Sequence, residues 1–482
     1  MDRPKLRARR AALRVGALAL ALLVAPSSAL AAEGAVAASP RPLALTEVLR
    51  EAVANNHGLG AKRRGIDVAD EEQSAVAARF FPVLRAEVNA LVWNSDNRYT
   101  FDTSGFNSLF AQMGAPAGLT VPPMSVTVRD QTTVKATLMA IQPIAQLWQI
   151  AYGRDARREM ARAARFDATA AERDVEGQTA RAFFGHLSAS RMLETIAEAE
   201  RTVAAYEKQT RDYLAAGLVE RDALLQVQLQ REELRKSRVA VEKAVALSRA
   251  QLNMLMGRPL VAPLALACDR CEGAAGAQAR SPLESLQADA LAHRPELASG
   301  DAQRSAADAA AKAARAKLAP DLNLVAAYNR NVGMGDLMLR DEGFVGLMLS
   351  WNVWEWGATA HEARAAGLRR DQATHMVRQA EEGLKLQVQQ RALELVEATQ
   401  QKEVAEAGLA LAKESLRLEE NRYGVHAIEA ADLVRAQVAA VKATHDVTLA
   451  TMQIELARRE LALATGHDLL ESTDASSKER TE

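Results

Sequence analysis

The sequence predicts a mainly α-helical protein with a small β part, in which pairs of long helices occur twice. Its composition is typical of long helices, because alanine dominates the apolar residues and Glu, Gln, Arg and Leu are abundant. Only 14 prolines occur in 482 residues, which leaves room for long uninterrupted segments. The same order of segments also recurs along the chain, with short stretches of alternating polarity in each copy.

The charge balance and the cysteine content exclude several classes of protein. The chain has 60 Lys and Arg residues and 61 Asp and Glu residues, whereas a nucleic-acid groove needs a basic excess. Apolar residues make up 49% of the chain, which is enough for a large buried surface. Two cysteines are too few for a small fold held together by disulfides.

The first 31 residues have the pattern of a secretory signal peptide. Five basic side chains lie between Met1 and Arg10, an apolar run follows from Val15 to Ala25, and Ala29-Leu30-Ala31 has the form of a cleavage site. A short transmembrane anchor is the alternative, but the run is shorter than the ~20 residues that span a bilayer. No cysteine follows Ala31 directly, so we expect an exported chain that is not lipidated at its N-terminus.

The rest of the chain is predicted to be a duplication, with copies at 32–257 and 283–466, a linker at 258–282 and a polar tail at 467–482. At offsets of 238 and then 209 the copies match at these pairs: Ala52/Ala290, Leu59/Leu297, Pro82/Pro320, Leu84/Leu322, Leu224/Leu433, Gln228/Gln437 and Gly257/Gly466. The change of offset places 29 extra residues in the first copy, between Pro82 and Pro143. Chance identity between Ala-rich helices is the alternative, but prolines and glycines match at segment ends.

Each copy is predicted to contain two short helices, a strand pair and two long helices. The short helices are expected at about 45–56, 61–80, 283–293 and 296–317. The strands are expected at about 83–93, 125–142, 322–331 and 343–354. The long helices are expected at about 150–214, 219–256, 359–422 and 429–465. The segment from Asn94 to Val128, rich in Asn, Ser, Gly and Pro, is predicted to be a long surface loop that holds the insertion.

The predicted strands alternate in polarity, most strictly from Leu84 to Val92. This pattern is typical of outer-membrane barrels, although a soluble hairpin with one wet face has it too. The tryptophans favour the membrane interpretation, because indole side chains prefer the membrane–water interface and none lies within the long helices. Core filling is the alternative. The interface residues predicted are Trp93, Trp148, Trp351, Trp354 and Trp356.

Geometry then predicts an oligomer. A helix of about 65 residues is roughly 100 Å long, which exceeds an ordinary domain. Four strands cannot close a barrel, so open strand edges must pair with other chains. A trimer would supply twelve strands, and its long helices would continue the tube.

Taken together, these features make the chain resemble the TolC family of outer-membrane efflux proteins. Gln142-Pro143-Ile144 and Trp351 to Gly357 stand where the family joins strand to long helix, and the turns at Gly217 to Leu225 and Tyr423 to Gln437 are similar to the family's helical turns. The resemblance implies a homotrimeric channel with a twelve-stranded barrel in the outer membrane of a Gram-negative bacterium. It also implies an α-helical periplasmic tunnel, docked to a periplasmic adaptor and an inner-membrane pump for efflux or type I secretion.

The resemblance further suggests a charged periplasmic entrance at Asp432, Arg435 and Asp222, where acids can line the closed gate in the family. An ordinary ion pair between Asp432 and Arg435 on the helix surface is the alternative. The expected adaptor contacts lie at the helical tips and are Gly217, Leu218, Val219, Glu220, Arg221, Tyr423, Gly424 and Val425.

No residue pattern indicates an enzyme or a cofactor. The eight histidines have no metal-ligand spacing, and neither a phosphate-binding loop nor a nucleophile motif is present. Cys268 and Cys271 lie in the linker and are predicted to form a local disulfide rather than a redox or zinc site. The alternatives to a channel are a periplasmic coiled-coil adaptor and a structural helical protein.

Overall fold

The structure, a computed structural model, describes residues 41–116, 118–268, 282–335, 338–425 and 427–470. The predicted signal peptide lies outside the described residues, as do Cys271 and most of the predicted polar tail. The predicted disulfide therefore stays a prediction. The fold class is confirmed, because long helices make up most of the chain and a small sheet accompanies them.

The first copy begins with two short helices, α1 (Leu45–Asn55) and α2 (His57–Ala77). Asn56 separates them, and its side chain accepts a hydrogen bond from the Leu59 amide at 3.0 Å, which caps the start of α2. The long helices follow the strands as α4 (Leu147–Ala215, 69 residues) and α5 (Arg221–Leu255). At 1.5 Å per residue α4 is roughly 100 Å long.

The second copy has the same order. Its short helices are α6 (Leu283–His293) and α7 (Pro295–Ala316), and its long helices are α8 (Ala358–Gly424) and α9 (Ala430–Ala464). The proline at the first position of α7 suits a site where the missing amide hydrogen bond costs nothing. Both last helices end at glycines with positive φ, Gly257 and Gly466, as the sequence match predicts.

The long helices form a layer in which α5 packs on α4, α4 on α9 and α9 on α8. Nearer the strands, α2 packs on α4, and α7 lies between α4 and α8. Helix α5 therefore lies at one edge of the layer and α8 at the other. Among the described elements, neither edge helix has a third long helix on its outer side.

Four strands form one antiparallel sheet in the order β1 (Val83–Val92), β4 (Thr132–Pro143), β5 (Asp321–Val332) and β6 (Asp341–Ser350). The central pairing joins the two copies, since β4 lies beside β5 in a register that sets Leu138 opposite Tyr328. Strands β1 and β6 are the two edges of this sheet.

The predicted strand at 125–142 is wrong in one respect, because it is two strands in different sheets. A short strand β3 (Met124–Arg129) pairs with β2 (Asn97–Phe101), and helix α3 (Ser104–Gln112) lies between them in the chain. The chain breaks at Asp130, whose amide donates to the Gly333 carbonyl at 2.8 Å instead of continuing the ladder. We call β2, α3 and β3 with their connections the cap; it occupies the segment predicted to be a loop.

Two main cores hold the helical layer together. The upper core joins α1 to α4 and α5 through large side chains that include Leu49, Phe183 and Leu252, all fully buried. The lower core lies near the helical turns, where Val203, Val227 and Leu433 bring both hairpins together. These cores fix the relative positions of the sheet above and the turns below.

Candidate functional site

The four-stranded sheet has two chemically different faces, and the pairing register assigns every residue to one of them. Side chains alternate along a strand, and directly paired residues lie on the same face. The apolar face carries these residues: Leu84, Ala86, Val88, Ala90, Val92, Val134, Ala136, Leu138, Ala140, Leu324, Ala326, Val332, Val345, Leu347 and Leu349. Tyr328, Arg330, Gly343 and Asp341 interrupt it at the far end of β5 and β6, and Thr132 and Gln142 interrupt it at the two ends of β4.

The apolar face is so exposed that its contact with water would be energetically unfavourable. Val92, Val345 and Leu84 are 79%, 74% and 73% exposed. Folded proteins rarely expose a contiguous apolar patch of this extent unless a membrane or a partner covers it. Nine residues from Leu84 to Val92 span roughly 26 Å along the strand, and a tilt of ~40° reduces this to a height of roughly 20 Å, a little less than the ~25 Å apolar band of an outer-membrane barrel.

The opposite face is more polar, and in β4 and β5 it is more enclosed, although it also carries Val83, Leu91, Met139, Ile141, Val325, Ala327, Phe344 and Met348. Arg85, Glu87 and Asn89 lie on it in β1, and Asn89 Nδ2 donates to Glu87 Oε1 at 2.8 Å. Across the central pair, Thr137 Oγ1 donates to Asn329 Oδ1 at 2.9 Å. A face of this kind suits the water-filled interior of a barrel, where polar side chains keep their hydration.

Four of the five tryptophans lie at the end of the sheet where the long helices begin. Trp148, Trp351, Trp354 and Trp356 are all well exposed, and Trp354 and Trp356 contact each other edge to face with ring centroids 5.7 Å apart. Trp356 has a positive φ of 56°, which is unusual for an aromatic residue and keeps its ring outward before α8 begins. The interface role of these four stays a prediction.

The structure places Trp93 elsewhere. It follows β1 at the other end of the sheet, and its Nε1 donates to Thr133 Oγ1 at 3.1 Å on the polar face. The Arg129 guanidinium lies over its ring at 3.8 Å from the centroid. Trp93 is half-buried and faces away from the apolar surface, so it cannot belong to a lipid-facing girdle.

Both edges of the helical layer expose apolar stripes. On α5 the exposed residues are Leu225, Leu229, Val239, Leu247 and Met254, and on α8 they are Leu386, Leu393, Val404, Leu411 and Leu418. Several are seven residues apart, which is the spacing of a helix that packs against another along its length. The two stripes lie on opposite edges of the helical layer.

The first helical turn lies between α4 and α5. Gly217 has a φ of 77°, and the Leu218 amide donates to the Tyr213 carbonyl at 2.9 Å, which closes the end of α4. Leu218 is exposed, as are the flanking Glu220, Arg221 and Asp222. This turn therefore offers an apolar tip with charged flanks to a partner.

The second turn lies between α8 and α9, and only part of it is open. Val425 is 73% exposed, whereas Tyr423 is buried and its ring lies 6.3 Å from that of Tyr213. Tyr423 is therefore unsuited to direct contact with a partner and instead packs the two hairpins together. His426 lies outside the described residues.

Asp432 and Arg435 form an ion pair one turn apart at the start of α9, and both side chains are partly exposed. Asp222 lies at the equivalent start of α5, in the first turn of the helix. Over residues 217–222 and 419–435 six acidic residues face three arginines, so the tips carry a net charge of −3. A ring of such tips would attract cations and repel anions.

A buried carboxylate that the sequence did not single out lies just above the first turn. Glu207 accepts bonds from Arg231 at 2.6 Å, Arg211 at 2.8 Å and Gln228 at 3.1 Å, and joins α4 to α5. Burial raises the pKa of Glu207, but the Gln228 bond and the ion pairs outweigh it, so the net pKa lies below the ordinary value. In the sequence, only the spacing of four residues between Glu207 and Arg211 indicated a pair.

A cavity of about 160 Å³ between α4, α7, α8 and α9 is lined by charges that pair with one another. Glu460 accepts from Arg181 at 2.8 Å and from Arg391 at 2.7 Å, and Arg294 holds Glu296 at 2.7 Å. Paired charges of this kind serve packing rather than ligand binding. Among the described residues no cluster of three or more His, Cys, Asp or Glu side chains is arranged to hold a metal ion.

Comparisons with known proteins agree with this geometry. A sequence model of the outer membrane efflux protein family matches residues 286–467. No curated protein sequence matches the chain. Among the helices that the structure describes, none is both long enough and apolar enough to cross a bilayer.

Several solved channels have the same fold. CusC is 15% identical with a TM-score of 0.71, and the match covers 88% of this chain and 92% of CusC. CmeC of Campylobacter jejuni is 15% identical with a TM-score of 0.70, covering 91% of this chain and 89% of CmeC. The open state of MtrE of Neisseria gonorrhoeae is 16% identical with a TM-score of 0.66, covering 88% and 89%. These values confirm the resemblance inferred from the sequence.

Proposed function

Since the chain resembles the outer membrane efflux proteins in sequence over residues 286–467 and in fold over most of its length, we propose that it is the outer-membrane channel of a tripartite efflux or type I secretion system. Three copies form a passive conduit from the periplasm to the exterior of a Gram-negative cell. A periplasmic adaptor and an inner-membrane pump dock at the helical tips. The conduit itself needs neither a catalytic group nor a cofactor.

The sheet carries this proposal. Its outer face is apolar and exposed, its inner face is more polar, and both of its edge strands are open. The unpaired backbone groups of β1 and β6 need partners, and in lipid each unpaired group costs several kcal/mol. Pairing β6 of one copy with β1 of the next satisfies them all in a closed ring of twelve strands for three copies.

The helical layer supports the same assembly. The exposed stripes on α5 and α8 pair edge to edge between neighbours in the direction that the strands require. In a soluble adaptor the exposed apolar face of the sheet would stay in contact with water. In a structural helical protein the polar inner face would have no function. Both alternatives are therefore disfavoured.

We further propose that Asp432, Arg435 and Asp222 line the periplasmic entrance. The net negative charge of the tips and the partial exposure of the Asp432–Arg435 pair support this assignment. The adaptor contacts are proposed at Gly217, Leu218, Val219, Glu220, Arg221, Gly424 and Val425, which excludes the buried Tyr423.

Conductance of the detergent-extracted protein in planar bilayers tests the channel, together with the mass of the detergent-resistant oligomer. We expect discrete conductance steps, a mass of three chains and co-fractionation with the outer membrane. A protein that stays soluble without detergent, remains a monomer and gives no steps would refute the channel.

Two opposite substitutions test the entrance. If Asp432 faces the axis, D432N should lower the preference for cations over anions and R435Q should raise it. The exposed Arg64–Asp67 pair on α2 provides a matched control, so D67N should leave ion selectivity unchanged. Equal ion selectivity in all three variants would leave the channel proposal intact. It would show that the Asp432–Arg435 pair is an ordinary ion pair on the helix surface.

A further inference from the structure

The cap has a composition unlike the rest of the chain. No charged residue occurs over residues 103–128, although charged residues make up 25% of the protein. Arg98 and Asp96 form an ion pair at 3.0 Å at its root, and Asp102 lies just before α3, where it accepts hydrogen bonds from Ser104. An uncharged centre with a charged margin is the pattern of a protein–protein interface rather than of a free surface loop.

Helix α3 of the cap turns an apolar face outward. Phe106, Leu109 and Met113 share one side of the helix and are 65%, 50% and 74% exposed. Ser104, Ser108 and Gln112 lie on the other side. Within the described part of one chain, the apolar side therefore has no partner.

The remainder of the cap is firmly attached to α3, so the exposed face is a built surface. Asn107 pairs with the Val121 backbone in both directions, at 2.7 and 3.0 Å, and Thr103 Oγ1 donates to the same carbonyl at 2.8 Å. These bonds bring the chain after α3 back against the helix. Tyr99, Leu119 and Met124 add further exposed apolar area.

The cap lies beyond the end of the apolar band on the sheet. At that end of the outer face Asp341 accepts from Tyr328 at 2.7 Å and from Arg330 at 3.0 Å, which are polar groups suited to the membrane surface. The cap continues past the ends of β1 and β4, so lipid hydrocarbon does not reach it.

The root of the cap is held toward the polar face of the sheet. Arg129, the last residue of β3, covers Trp93 on that face and donates to the Ser95 carbonyl at 3.4 Å. Gly335, in the connection between β5 and β6, lies so close to β3 that an added Cβ would come within 2.3 Å of the Val128 carbonyl oxygen. The cap is thus anchored beside the interior of the barrel rather than beside the lipid.

We propose that the apolar faces of the three caps meet over the external mouth of the channel and narrow it. This rests on the proposed trimer, in which identical caps surround one axis above the polar interior. The occupant of each exposed α3 face is then the cap of a neighbouring copy. Contact between the three apolar faces of α3 buries Phe106, Leu109 and Met113, none of which carries a charge.

Cysteine cross-linking in outer membranes tests the contact. Met113→Cys should give oxidation-dependent covalent dimers well above the level of the parent protein, which has Cys268 and Cys271 only, because one new thiol per chain can bond to one neighbour. Ser108→Cys, on the opposite side of the same helix, should stay at the parent level. No cross-linking of Met113→Cys in a trimer that conducts ions would overturn the proposal and assign the face to another partner.

Conductance provides a second readout that does not depend on a disulfide. Met113→Lys places three like charges at the contact and should raise single-channel conductance several-fold, whereas Ser108→Lys should not. Equal conductance of both variants and the parent would also overturn the proposal. Absence of conductance from the parent itself would instead refute the channel, so the two failures are distinguishable.

Discussion

The two repeats follow one order of elements, but they bury very different side chains where the short helix meets the long ones. In the first repeat α1 inserts Val48 and Leu49, both fully buried, against Phe183 of α4. In the second repeat the corresponding small core consists of Ala290, Val388 and Ala464. The matched positions show the substitution directly, since Leu49 corresponds to Gln287 and Phe183 to Ala392.

This difference teaches that one topology can be stabilised in two ways. The first repeat carries its own apolar core, which the linker also covers through Leu264 and Leu266. The second repeat leaves Leu393 60% exposed where the first buries Phe184. We infer that the first repeat is stable within the chain and that the second depends on contact with a neighbouring chain.

The largest expected effect comes from a substitution in the core of the first repeat. Phe183→Ala removes a fully buried ring, and such truncations cost about 3–5 kcal/mol of unfolding free energy. Chemical denaturation followed by circular dichroism would measure this loss.

The matched substitution in the second repeat is Leu393→Ala. It should change the free energy of chain unfolding by less than about 1 kcal/mol, because the side chain is exposed in one chain. It should instead weaken the trimer, as seen by mass in detergent. Equal destabilisation of the chain by both variants would contradict the proposed difference between the repeats.

The next largest effect is a pH dependence of the unfolding free energy. It arises at Glu176, where Leu469 is attached to the first core. Burial raises the pKa of Glu176 to about 7, although the Leu469 amide donates to its carboxylate at 2.9 Å. Because the folded pKa exceeds the unfolded value, the stabilisation is complete below about pH 4.5 and is lost as pH rises toward 7. That loss amounts to about 3 kcal/mol.

Glu176→Gln should therefore flatten the dependence of unfolding free energy on pH between 4.5 and 7. Glu194→Gln, at an exposed carboxylate on the same helix, should leave the slope as in the parent. An unchanged slope in Glu176→Gln would assign the pH dependence to other groups.

A smaller effect is expected at Glu207, whose position in the second repeat is taken by the apolar Leu416. Glu207→Gln removes the charge between Arg211 and Arg231, and since both guanidinium groups reach solvent we expect a loss of about 1–2 kcal/mol at neutral pH. The folded pKa is lowered, so this loss should shrink as the solution is acidified below about pH 4.5. A loss that persists at low pH would point to packing instead of charge.

The smallest effect would make the second repeat more like the first. Gln287→Leu exchanges a side chain that donates to the Lys385 carbonyl at 3.3 Å for the leucine found at the matched position. We expect a change of less than about 1 kcal/mol in either direction, because Gln287 is only half-buried and the leucine would lose this hydrogen bond. A large gain in thermal stability would show that the second core is merely underfilled.

The sequence predicted the long helices and the sheet well because both depend on local patterns. Alternation from Leu84 to Val92 defines one strand, and prolines and glycines mark where helices stop. The repeat then supplied the second strand pair. The split of 125–142 into β3 and β4 was missed because it depends on Gly333, about 200 residues away, which takes the Asp130 amide.

The candidate surfaces were predicted less completely, because exposure is a property of the fold. Tyr423 and Val425 lie in one turn and look equally available in the sequence, yet only Val425 is exposed. Trp93 belongs by composition with the other tryptophans, but one residue after Val92 a strand side chain points to the other face. The exposed side of α3 was hidden within a segment whose composition indicated a loop.

The pairing of β4 with β5 has a consequence for the order in which the molecule forms. Thr137 and Asn329 are 192 residues apart in the chain, whereas α4 and α5 meet across a short turn. Closing so long a loop is slow compared with zipping a helical hairpin. We therefore expect the hairpins to assemble early during synthesis and the apolar sheet to form last. This order shortens the time for which the apolar surface of the sheet is exposed before the chain reaches the membrane.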